Sequence, residues 1–246
     1  MGKTLIKSAA FVTVVIPTYN EADNLPTLLS GLFGLKIPNL HLVVVDDGSP
    51  DGTGELAKNI GLELNGTVKV IQRGSKKGLG TAYVEGFKEA LLMGSDIIIQ
   101  MDADLSHELQ YVPKFLEALE KSDVVVGSRY ISGGGVSETW SISRRILSSI
   151  GNFGIRIASG VKVQDATSGF KAFRAEALAS FNMCQFRSKG FAFQVEVAYA
   201  CEKRGFIVRE HPIVFAKRSG GKSKMSLFII LEALWNLPTM RWKMKM

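Results

Sequence analysis

Short apolar runs rich in β-branched residues alternate with segments of helical periodicity along the first half of the chain. The apolar runs span residues 12–16, 42–45, 68–71, 97–101 and 124–126. The helical patterns span residues 24–33, 52–60, 80–93 and 109–119. Strands that are apolar almost throughout are typical of a parallel sheet with both faces covered. The alternation therefore predicts an α/β fold in which helices flank a mostly parallel central sheet.

A polar cluster follows four of the five predicted strands. The clusters occupy residues 17–21, 46–49, 102–104 and 127–130. Ligands of parallel sheets bind beyond the carboxyl ends of the strands, so we expect the four clusters to form one site. The alternative is that turn-forming Asp, Gly, Ser and Pro residues merely end each strand, which explains one cluster well but four less well.

The second half of the chain is less regular and ends in a tail of different composition. The pattern predicts a helix over 144–158, a turn at 168–170, a helix near 193–203 and a strand near 207–215. From Lys217 onward the composition becomes basic and apolar. We therefore place a boundary there, with a main domain over residues 1–216 and a tail over residues 217–246.

The net charge of the chain is concentrated in that tail. Residues 217–246 contain seven Lys or Arg and one acid, Glu232, so the tail carries +6 of the total +7. A nucleic-acid binder is expected to spread its cations over a folded face, so this distribution disfavours nucleic acid as a partner. It favours phosphate groups and the surface of an anionic membrane.

Apolar length and cysteine content limit the cellular setting. The longest uninterrupted apolar run, Leu227–Leu231, is far shorter than the roughly 20 residues that cross a bilayer as a helix. Residues 9–16 end at Pro17 with no cleavage site following, so they predict a buried strand and not a secretory signal. Two cysteines make no disulfide framework. We expect a cytoplasmic protein, attached at most to a membrane surface.

The sequence Asp102-Ala103-Asp104 directly follows the predicted strand 97–101. Two carboxylates two residues apart at a strand end can converge on one hard cation, Mg²⁺ or Mn²⁺, and leave positions open for phosphate oxygens. Capping of the helix at 109–119 is the alternative, although Ser106 could supply that cap without either aspartate.

Two further segments contain candidate nucleotide ligands. Asp46-Asp47 precedes a glycine-containing loop, where one carboxylate could accept hydrogen bonds from a base or ribose; the alternative is the start of a helix at 51–53. Arg218 and Lys224 bracket a flexible cationic segment that could neutralise a pyrophosphate; the alternative is a solvated basic linker.

Other catalytic motifs find no support in the sequence. Residues 78–83 contain two glycines of a dinucleotide fingerprint, but Tyr83 stands where the third Gly or Ala belongs. Residues 221–223 imitate the end of a P-loop, but Ala216 stands at the first required glycine. The three histidines have no metal-ligand spacing. These observations disfavour dehydrogenases, P-loop NTPases and zinc hydrolases.

Taken in order, the motifs resemble the family 2 glycosyltransferases of the GT-A fold, a Rossmann-like α/β architecture. The blocks that carry the resemblance are residues 15–21, 45–53, 77–82, 101–107, 127–130, 165–170 and 223–224. The Asp-Ala-Asp-Leu-Ser-His sequence at 102–107, the Thr-Ser-Gly-Phe sequence at 167–170 and the late Arg218 and Lys224 narrow it to the dolichol-phosphate, or polyprenol-phosphate, mannosyltransferases.

The resemblance implies a role for each matching position. The residues that would hold the nucleoside of a sugar nucleotide are Pro17, Tyr19, Glu21, Val45 and Asp47. Asp102 and Asp104 would bind the divalent cation that bridges the diphosphate. Ser106 would be a third, weaker metal-side group that can act through water, and the backbone at Ala103 would lie against the nucleotide.

Cationic positions complete the implied site. Arg129 and Arg144 would meet phosphate on the donor or the acceptor, and Arg218 with Lys224 would close over the donor. The residues implied in catalysis are Asp104, Arg129, Arg144 and Lys224. On this interpretation residues 1–216 are the GT-A catalytic domain, and residues 217–246 are a donor-closing loop followed by an amphipathic membrane-surface segment.

The implied activity is a metal-dependent, inverting transfer of a hexose, mannose from GDP-mannose, to a polyprenyl (dolichyl) phosphate. The acceptor phosphate is already an anion at neutral pH, so no strong general base is required. The protein would be peripheral on the cytoplasmic face of a membrane, with small membrane-anchoring subunits as further candidate partners. The alternatives are UDP-glucose or UDP-GlcNAc as donor, a glycan or protein acceptor, or a non-catalytic basic module.

Overall fold

The computed structural model describes residues 10–64, 67–186, 188, 190 and 192–216. Its strands are β1 (Val12–Thr18), β2 (Leu40–Asp46), β3 (Val68–Gln72), β4 (Ile97–Gln100), β5 (Val124–Ser128), β6 (Gly135–Val136), β7 (Lys171–Arg174), β8 (Val208–Pro212) and β9 (Val214–Phe215). Its α-helices are α1 (Leu25–Gly34), α2 (Thr53–Glu63), α3 (Leu79–Leu92), α4 (Tyr111–Leu119), α5 (Ile142–Ser159), α6 (Ala175–Ala179) and α7 (Ala192–Lys203). A 3₁₀ turn lies at Met183–Gln185.

Seven of these strands form one sheet in the order β3-β2-β1-β4-β7-β5-β8. Strand β7 runs antiparallel to both of its neighbours, β4 and β5, and every other neighbouring pair in the sheet is parallel. The predicted α/β fold with a mostly parallel sheet is therefore confirmed. Strands β1, β2, β4 and β5 point the same way, so their carboxyl ends share one edge.

The sheet separates two apolar cores, as its nearly all-apolar strands predict. Along β1, Val15 packs on one face with Phe87 of α3, whereas Val14 packs on the other with Leu28 of α1 and Phe115 of α4. All five side chains are fully buried. Burial on both faces removes the polar alternation that a one-sided sheet would show and explains why these strands could be located from sequence.

The second half of the chain departs from the sequence prediction: α6 and β6 were not predicted, and two differences concern the strands of the main sheet. Strand β7 was not predicted, because its four residues begin with Lys171 and end with Arg174 and carry no clear period. The strand predicted near 207–215 is two strands: β8 extends the main sheet, whereas β9 pairs with β6 in a separate two-stranded sheet. Ile213 separates them, and its side chain is buried in the core.

Some predictions fall on residues that the structure does not describe. The boundary at 216/217, the tail over 217–246, Arg218 and Lys224 all lie outside the described residues. Within the described part of the chain, no helix has both the length and the apolar composition needed to cross a membrane.

Candidate active site

The loops after β1 and β2 are joined at the carboxyl edge of the sheet, as the sequence predicts. The Asn20 backbone N–H donates to Ser49 Oγ at 3.0 Å, and the Asp47 backbone N–H donates to Thr18 O at 3.0 Å. Asn20 itself has a φ of 58°, a left-handed conformation that asparagine tolerates better than most residues. These bonds fix the two loops side by side next to the end of β4.

Asp102 and Asp104 follow β4 at this same edge, and each is held by hydrogen bonds. Asp102 Oδ1 accepts a bond from the Tyr83 hydroxyl at 2.7 Å, and the Asp102 N–H donates to His107 Nδ1 at 3.2 Å. Asp104 Oδ1 accepts from the Ser106 backbone N–H at 3.1 Å and also from the Ser106 hydroxyl. Ser106 therefore braces Asp104 and does not cap α4, whose first residue is Tyr111.

Tyr83, which the sequence analysis did not assign to the site, positions Asp102 through the hydrogen bond from its hydroxyl. Its ring is fully buried in α3 and stacks on Phe193 of α7 with 5.9 Å between centroids. Burial, and then the negative charge of Asp102, raise the pKa of Tyr83 well above its usual value, so the hydroxyl stays protonated. A protonated phenol that cannot move is a fixed donor to one carboxylate oxygen.

The turn before β7 comes into direct contact with Asp102. A Cβ placed on Gly169 would lie 3.0 Å from Asp102 Oδ2, closer than side chains normally pack. The carbonyl of Gly169 accepts a bond from Gln100 Nε2 at 3.1 Å. Glycine at this position therefore lets the turn approach the carboxylate, which no spacing in the sequence could indicate.

A buried polar network supports this turn. Lys171 Nζ donates to Ser168 O and, at 2.8 Å, to Gln194 Oε1, which also accepts from Gln100 Nε2. Lys171 has no exposed surface, and burial lowers its pKa to about 7, although the charge of Asp165 acts in the opposite direction. The network ties β4, β7 and α7 together immediately behind the site.

Arg129, a predicted phosphate ligand, is engaged by an acid. Its Nε and Nη2 atoms donate to Asp165 at 2.7 and 2.8 Å, and Nη2 also donates to Thr167 Oγ1 at 2.8 Å. Burial alone would raise the pKa of Asp165, but the charge and hydrogen bonds of Arg129 hold it below its usual value. The described contacts use Nε and Nη2, and none of them uses Nη1.

Asp47, a predicted nucleoside ligand, faces a buried arginine that the sequence analysis missed. Arg73 Nη1 lies 2.9 Å from Asp47 Oδ1, an ion pair whose N–H is not aligned for a regular hydrogen bond. Asp47 Oδ2 accepts from the Gly78 N–H at 3.1 Å. Arg73 also lies 3.4 Å from Glu85. Asp47 thus fixes the loop between β3 and α3 as well as lying at the site.

The remaining predicted nucleoside residues lie in β1, in β2 and in the loop after β1. Pro17 lies opposite Val45 in the β1–β2 register, and the Val45 side chain is fully buried, so only its backbone could reach a ligand. Lys76 Nζ lies 3.8 Å above the centroid of the Tyr19 ring. The Glu21 N–H donates to Thr53 Oγ1 at 3.0 Å. Contacts of these residues with a nucleoside remain predictions.

Arg144 lies in the first turn of α5. Its guanidinium carbon lies 3.8 Å from the centroid of the Trp140 ring, a cation–π stack. The stack orients the guanidinium at the start of the helix. A contact of Arg144 with phosphate remains a prediction.

The donor set suits a hard divalent cation. Asp102 and Asp104 provide carboxylate oxygens at one strand end, Ser106 adds a hydroxyl, and Ala103 between them is buried. Within the described residues, no group of three or more His, Cys, Asp or Glu side chains comes together to form a closed metal cage. Mg²⁺ and Mn²⁺ fit such an open site, because Mg²⁺ binds one or two carboxylates and takes its other ligands from phosphate and water.

Comparison with known proteins identifies the family. Residues 13–181 match the model of Glycosyl transferase family 2. The chain is 42% identical over 225 residues to the polyprenol monophosphomannose synthase of Mycolicibacterium smegmatis. The aligned region covers 91% of this chain and 84% of that protein. It is 40% identical over 231 residues to the undecaprenyl-phosphate mannosyltransferase of Micrococcus luteus, covering 94% and 93%.

Solved structures show the same architecture at low sequence identity. A glucosyl-3-phosphoglycerate synthase from Mycobacterium tuberculosis, in complex with phosphoglyceric acid, superposes with a TM-score of 0.65 at 15% identity, over 96% of this chain and 80% of that one. The same enzyme in complex with Mn²⁺, UDP and glucosyl-3-phosphoglycerate gives 0.63 at 18% identity, with the same coverage. This likeness carries the fold alone and confirms the predicted GT-A architecture. The family model and the two relatives show that the chain is a glycosyltransferase and belongs to glycosyl transferase family 2.

Proposed function

We propose that this glycosyltransferase transfers mannose from GDP-mannose to a polyprenyl phosphate, with inversion at the anomeric carbon, and forms polyprenyl-phosphate-mannose. The observation that carries the proposal is the identity of 42% and 40%, over more than nine-tenths of the chain, to proteins named for mannosyl transfer to polyprenol carriers. The carboxylate pair at the end of β4 supports it, since a nucleotide-sugar diphosphate requires a cationic partner at that edge.

Asp102 and Asp104 would hold the divalent cation, Mg²⁺ or Mn²⁺, with Ser106 beside them. When bound, the cation supplies positive charge that stabilises the departing nucleoside diphosphate. The contribution of the chain is to fix the two carboxylates before the ligand arrives, through Tyr83 on Asp102 and Ser106 on Asp104. Such outer hydrogen bonds set the orientation of metal ligands.

The transfer itself needs little acid–base assistance. An oxygen of the acceptor phosphate forms a bond to the anomeric carbon while the bond from that carbon to the diphosphate oxygen breaks, and GDP leaves with the electron pair. The acceptor oxygen is already ionised, so no proton has to be removed from it. His107 is the histidine next to the two carboxylates, but its ring is buried and stacks on Phe170. Its Nδ1 atom accepts the Asp102 N–H, so this nitrogen is not free to take a proton from a substrate. This arrangement is consistent with a transfer that uses no histidine base.

The cationic residues would neutralise phosphate charge. Arg129 retains Nη1 for such a contact while Asp165 and Thr167 fix the rest of its guanidinium. Arg144, Arg218 and Lys224 are the further cations that we assign to the donor and acceptor phosphates.

Residues 1–216 would form the catalytic domain, and the tail over 217–246 would close over the donor and contact the membrane. A polyprenyl acceptor places the protein peripherally on the cytoplasmic face of a membrane, with small anchoring subunits as further partners.

The test is a transfer assay on the full chain. Purified protein is incubated with radiolabelled GDP-mannose, Mg²⁺ or Mn²⁺ and a polyprenyl phosphate, and organic-extractable label is counted. We expect incorporation of label to require the cation. In Asp104→Asn the rate of transfer should fall by about 100-fold or more, because the variant loses a carboxylate that would hold the cation. Asp96→Asn is the matched control, because Asp96 lies directly before the first residue of β4, at the end away from the site. Among the described hydrogen bonds, its carboxylate accepts only the Phe11 N–H.

The outcomes separate the alternatives. A panel of GDP, UDP and dTDP sugars identifies the donor, and the one-bond carbon–proton coupling at the anomeric position of the product identifies inversion. Transfer from UDP-glucose or UDP-GlcNAc, or to a glycan or protein in place of the lipid, would replace the proposed substrates. Absence of labelled lipid with every sugar nucleotide would contradict the function, and ligand binding unaffected by Asp102→Ala and Asp104→Ala would indicate a non-catalytic module.

A further inference from the structure

Helix α5 presents an apolar stripe to solvent. Its large apolar side chains recur at the i, i+4, i+8, i+11 and i+15 positions of one face, namely Ile142, Ile146, Ile150, Phe153 and Ile157. Each of them is between 54% and 76% exposed. At 3.6 residues per turn these five positions fall within an arc of about 80°. The described part of the chain has other exposed large apolar residues, but they do not form such a row.

The face of α5 that packs on the protein consists, apart from Ile155, of small or polar residues, the reverse of an ordinary amphipathic helix. Its buried residues are Ser148, Gly151, Asn152, Ile155 and Ser159. Asn152 Oδ1 accepts the Ala166 N–H at 3.1 Å, and Asn152 Nδ2 donates to Gln164 O at 2.6 Å. The Ser148 hydroxyl bonds the Tyr130 hydroxyl at 2.8 Å. These bonds fix the rotation of the helix, so the stripe cannot turn inward.

The charges on α5 indicate what covers the stripe. The helix contains Arg144, Arg145 and Arg156 and no acidic residue. By helical geometry, Arg145 and Arg156 lie along one border of the stripe, within about 60° of its edge. Trp140, an aromatic suited to the headgroup region, lies next to Ser141, the N-cap of the helix. An apolar face bordered by cations is complementary to the interface of an anionic bilayer, whereas an apolar protein partner would require no such positive border.

We infer that α5 lies in the membrane interface, with the stripe (Ile142, Ile146, Ile150, Phe153 and Ile157) among the lipid acyl chains and with Arg145 and Arg156 at anionic headgroups. The inference deepens the proposed function, on which it rests for a membrane being present at the site. It assigns membrane contact to a helix within the main domain and not to the tail alone.

Hydrogen bonds connect α5 to the side of the site that contains Arg129, so membrane contact of α5 would affect where the site lies. Asn152 holds the backbone at Gln164 and Ala166, on either side of Asp165, and Asp165 pairs with Arg129. Tyr130, the next residue, is bonded to Ser148. Docking of α5 would therefore bring the Arg129 edge of the site to the headgroup level, where a membrane-bound phosphate is found.

The experiment measures binding of the full chain to vesicles of phosphatidylcholine with and without about 30% phosphatidylglycerol, an anionic lipid. The variant is Ile150→Glu/Phe153→Glu. The matched control is Leu62→Glu/Leu92→Glu, because Leu62 and Leu92 are 80% and 83% exposed on α2 and α3. We expect binding that requires anionic lipid, a loss of about tenfold or more for the α5 variant and less than about twofold for the control.

A second measurement reports contact directly and does not depend on a destabilising charge. An environment-sensitive fluorophore is attached to Ile157→Cys or, as control, to Leu92→Cys, with the exposed Cys184 replaced by Ser; Cys201 is buried. We expect a blue shift and quenching by brominated lipid at position 157 and neither at position 92. No quenching at position 157 would overturn the inference.

The remaining outcomes also decide it. If the tail covers the stripe, the α5 variant loses thermal stability relative to the control while vesicle binding is unchanged. If a second copy covers it, the variant changes the sedimentation velocity of the protein while vesicle binding is unchanged. Either result overturns the inference. Vesicle binding requires no donor, so loss of mannosyl transfer with binding retained would contradict only the proposed function.

Discussion

The guanidinium of Arg129 and the carboxylate of Asp165 form a two-pronged ion pair across 36 residues of sequence, with Nε–Oδ2 and Nη2–Oδ1 distances of 2.7 and 2.8 Å. Asp165 Oδ2 also accepts the backbone N–H of Arg129 at 3.0 Å. Asp165 has no exposed surface. The pair joins the loop after β5 to the segment before β7 and therefore sets the shape of one side of the site.

Asp165→Asn should destabilise the protein by about 3–5 kcal/mol, because it leaves the buried guanidinium without its counter-charge. The pKa of Asp165 is held below its usual value, so the stabilisation is present above the usual carboxyl range and is lost as the pH falls through the folded-state pKa. Urea unfolding measures the change. Glu89→Gln, which breaks the partly exposed pair of Lys69 and Glu89, should cost less than about 1 kcal/mol; equal losses would contradict the burial argument.

Tyr83→Phe should weaken metal dependence more than stability. The variant removes the 2.7 Å bond to Asp102 Oδ1 and leaves the ring packing intact. We expect the Mn²⁺ concentration for half-maximal transfer to rise about 10- to 100-fold, with a loss of roughly 1 kcal/mol in unfolding free energy. Tyr111→Phe, which removes a hydroxyl bonded to the Val214 N–H at 3.0 Å, is the matched control. A similar metal shift in both variants would show that the effect is not carried by Asp102.

Gly169→Ala should lower transfer about tenfold, because small displacements of catalytic groups are costly. The added methyl group would lie 3.0 Å from Asp102 Oδ2 and must displace either the carboxylate or the turn. Initial rates at saturating donor, together with thermal melting, separate this effect from unfolding. Gly34→Ala is the control, since a Cβ there meets nothing within 4 Å. Full activity in Gly169→Ala would mean that the turn relaxes away from the carboxylate without consequence.

Lys171 should make stability rise with pH just above neutrality. Burial lowers its pKa from 10.5 to about 7, so between these values the unfolded chain binds more protons than the folded one. Stability then increases as the pH rises, by roughly 1 to 2 kcal/mol between pH 7 and 8.5. The window ends near pH 9, because burial raises the pKa of Cys201 from 9.0 to about 12 and acts in the opposite direction above that pH.

Urea unfolding of the natural chain and of Lys171→Met at pH 7.0, 7.75 and 8.5 checks this prediction. The methionine has no proton to release, so its stability should be flat over the window. Identical slopes in the two proteins would assign the pH dependence to other groups.

Much of the fold could be predicted from the periodicity of apolar residues and from the order of the predicted elements along the chain. The strands β1 to β5 and the helices α1 to α4 were located from apolar period alone, because a sheet buried on both faces requires continuous apolar strands. The clusters after β1, β2, β4 and β5 were expected at one edge because parallel strands bring their carboxyl ends together. Asp102 and Asp104 were recognised because both carboxylates lie directly after one strand.

Contacts between distant segments could not be obtained in this way. Strand β7 is only four residues long, and its pairing partners in β4 and β5 lie 45 to 77 residues away in sequence, so no local period could indicate where it inserts. Arg73, Tyr83 and Lys171 carry no motif. They were found only through the groups they touch.

The sequence by itself determined the layered α/β architecture and the chemistry of the loop that follows β4, since both depend on residues close together along the chain. Tertiary structure alone decided that β7 runs antiparallel. That reversal brings the start of β7 to the carboxyl edge and sets Gly169 against Asp102 and Asp165 against Arg129. It also decided that α5 turns its polar side inward, because Ser148 and Asn152 find hydrogen-bond partners only in segments that the folded chain brings to them.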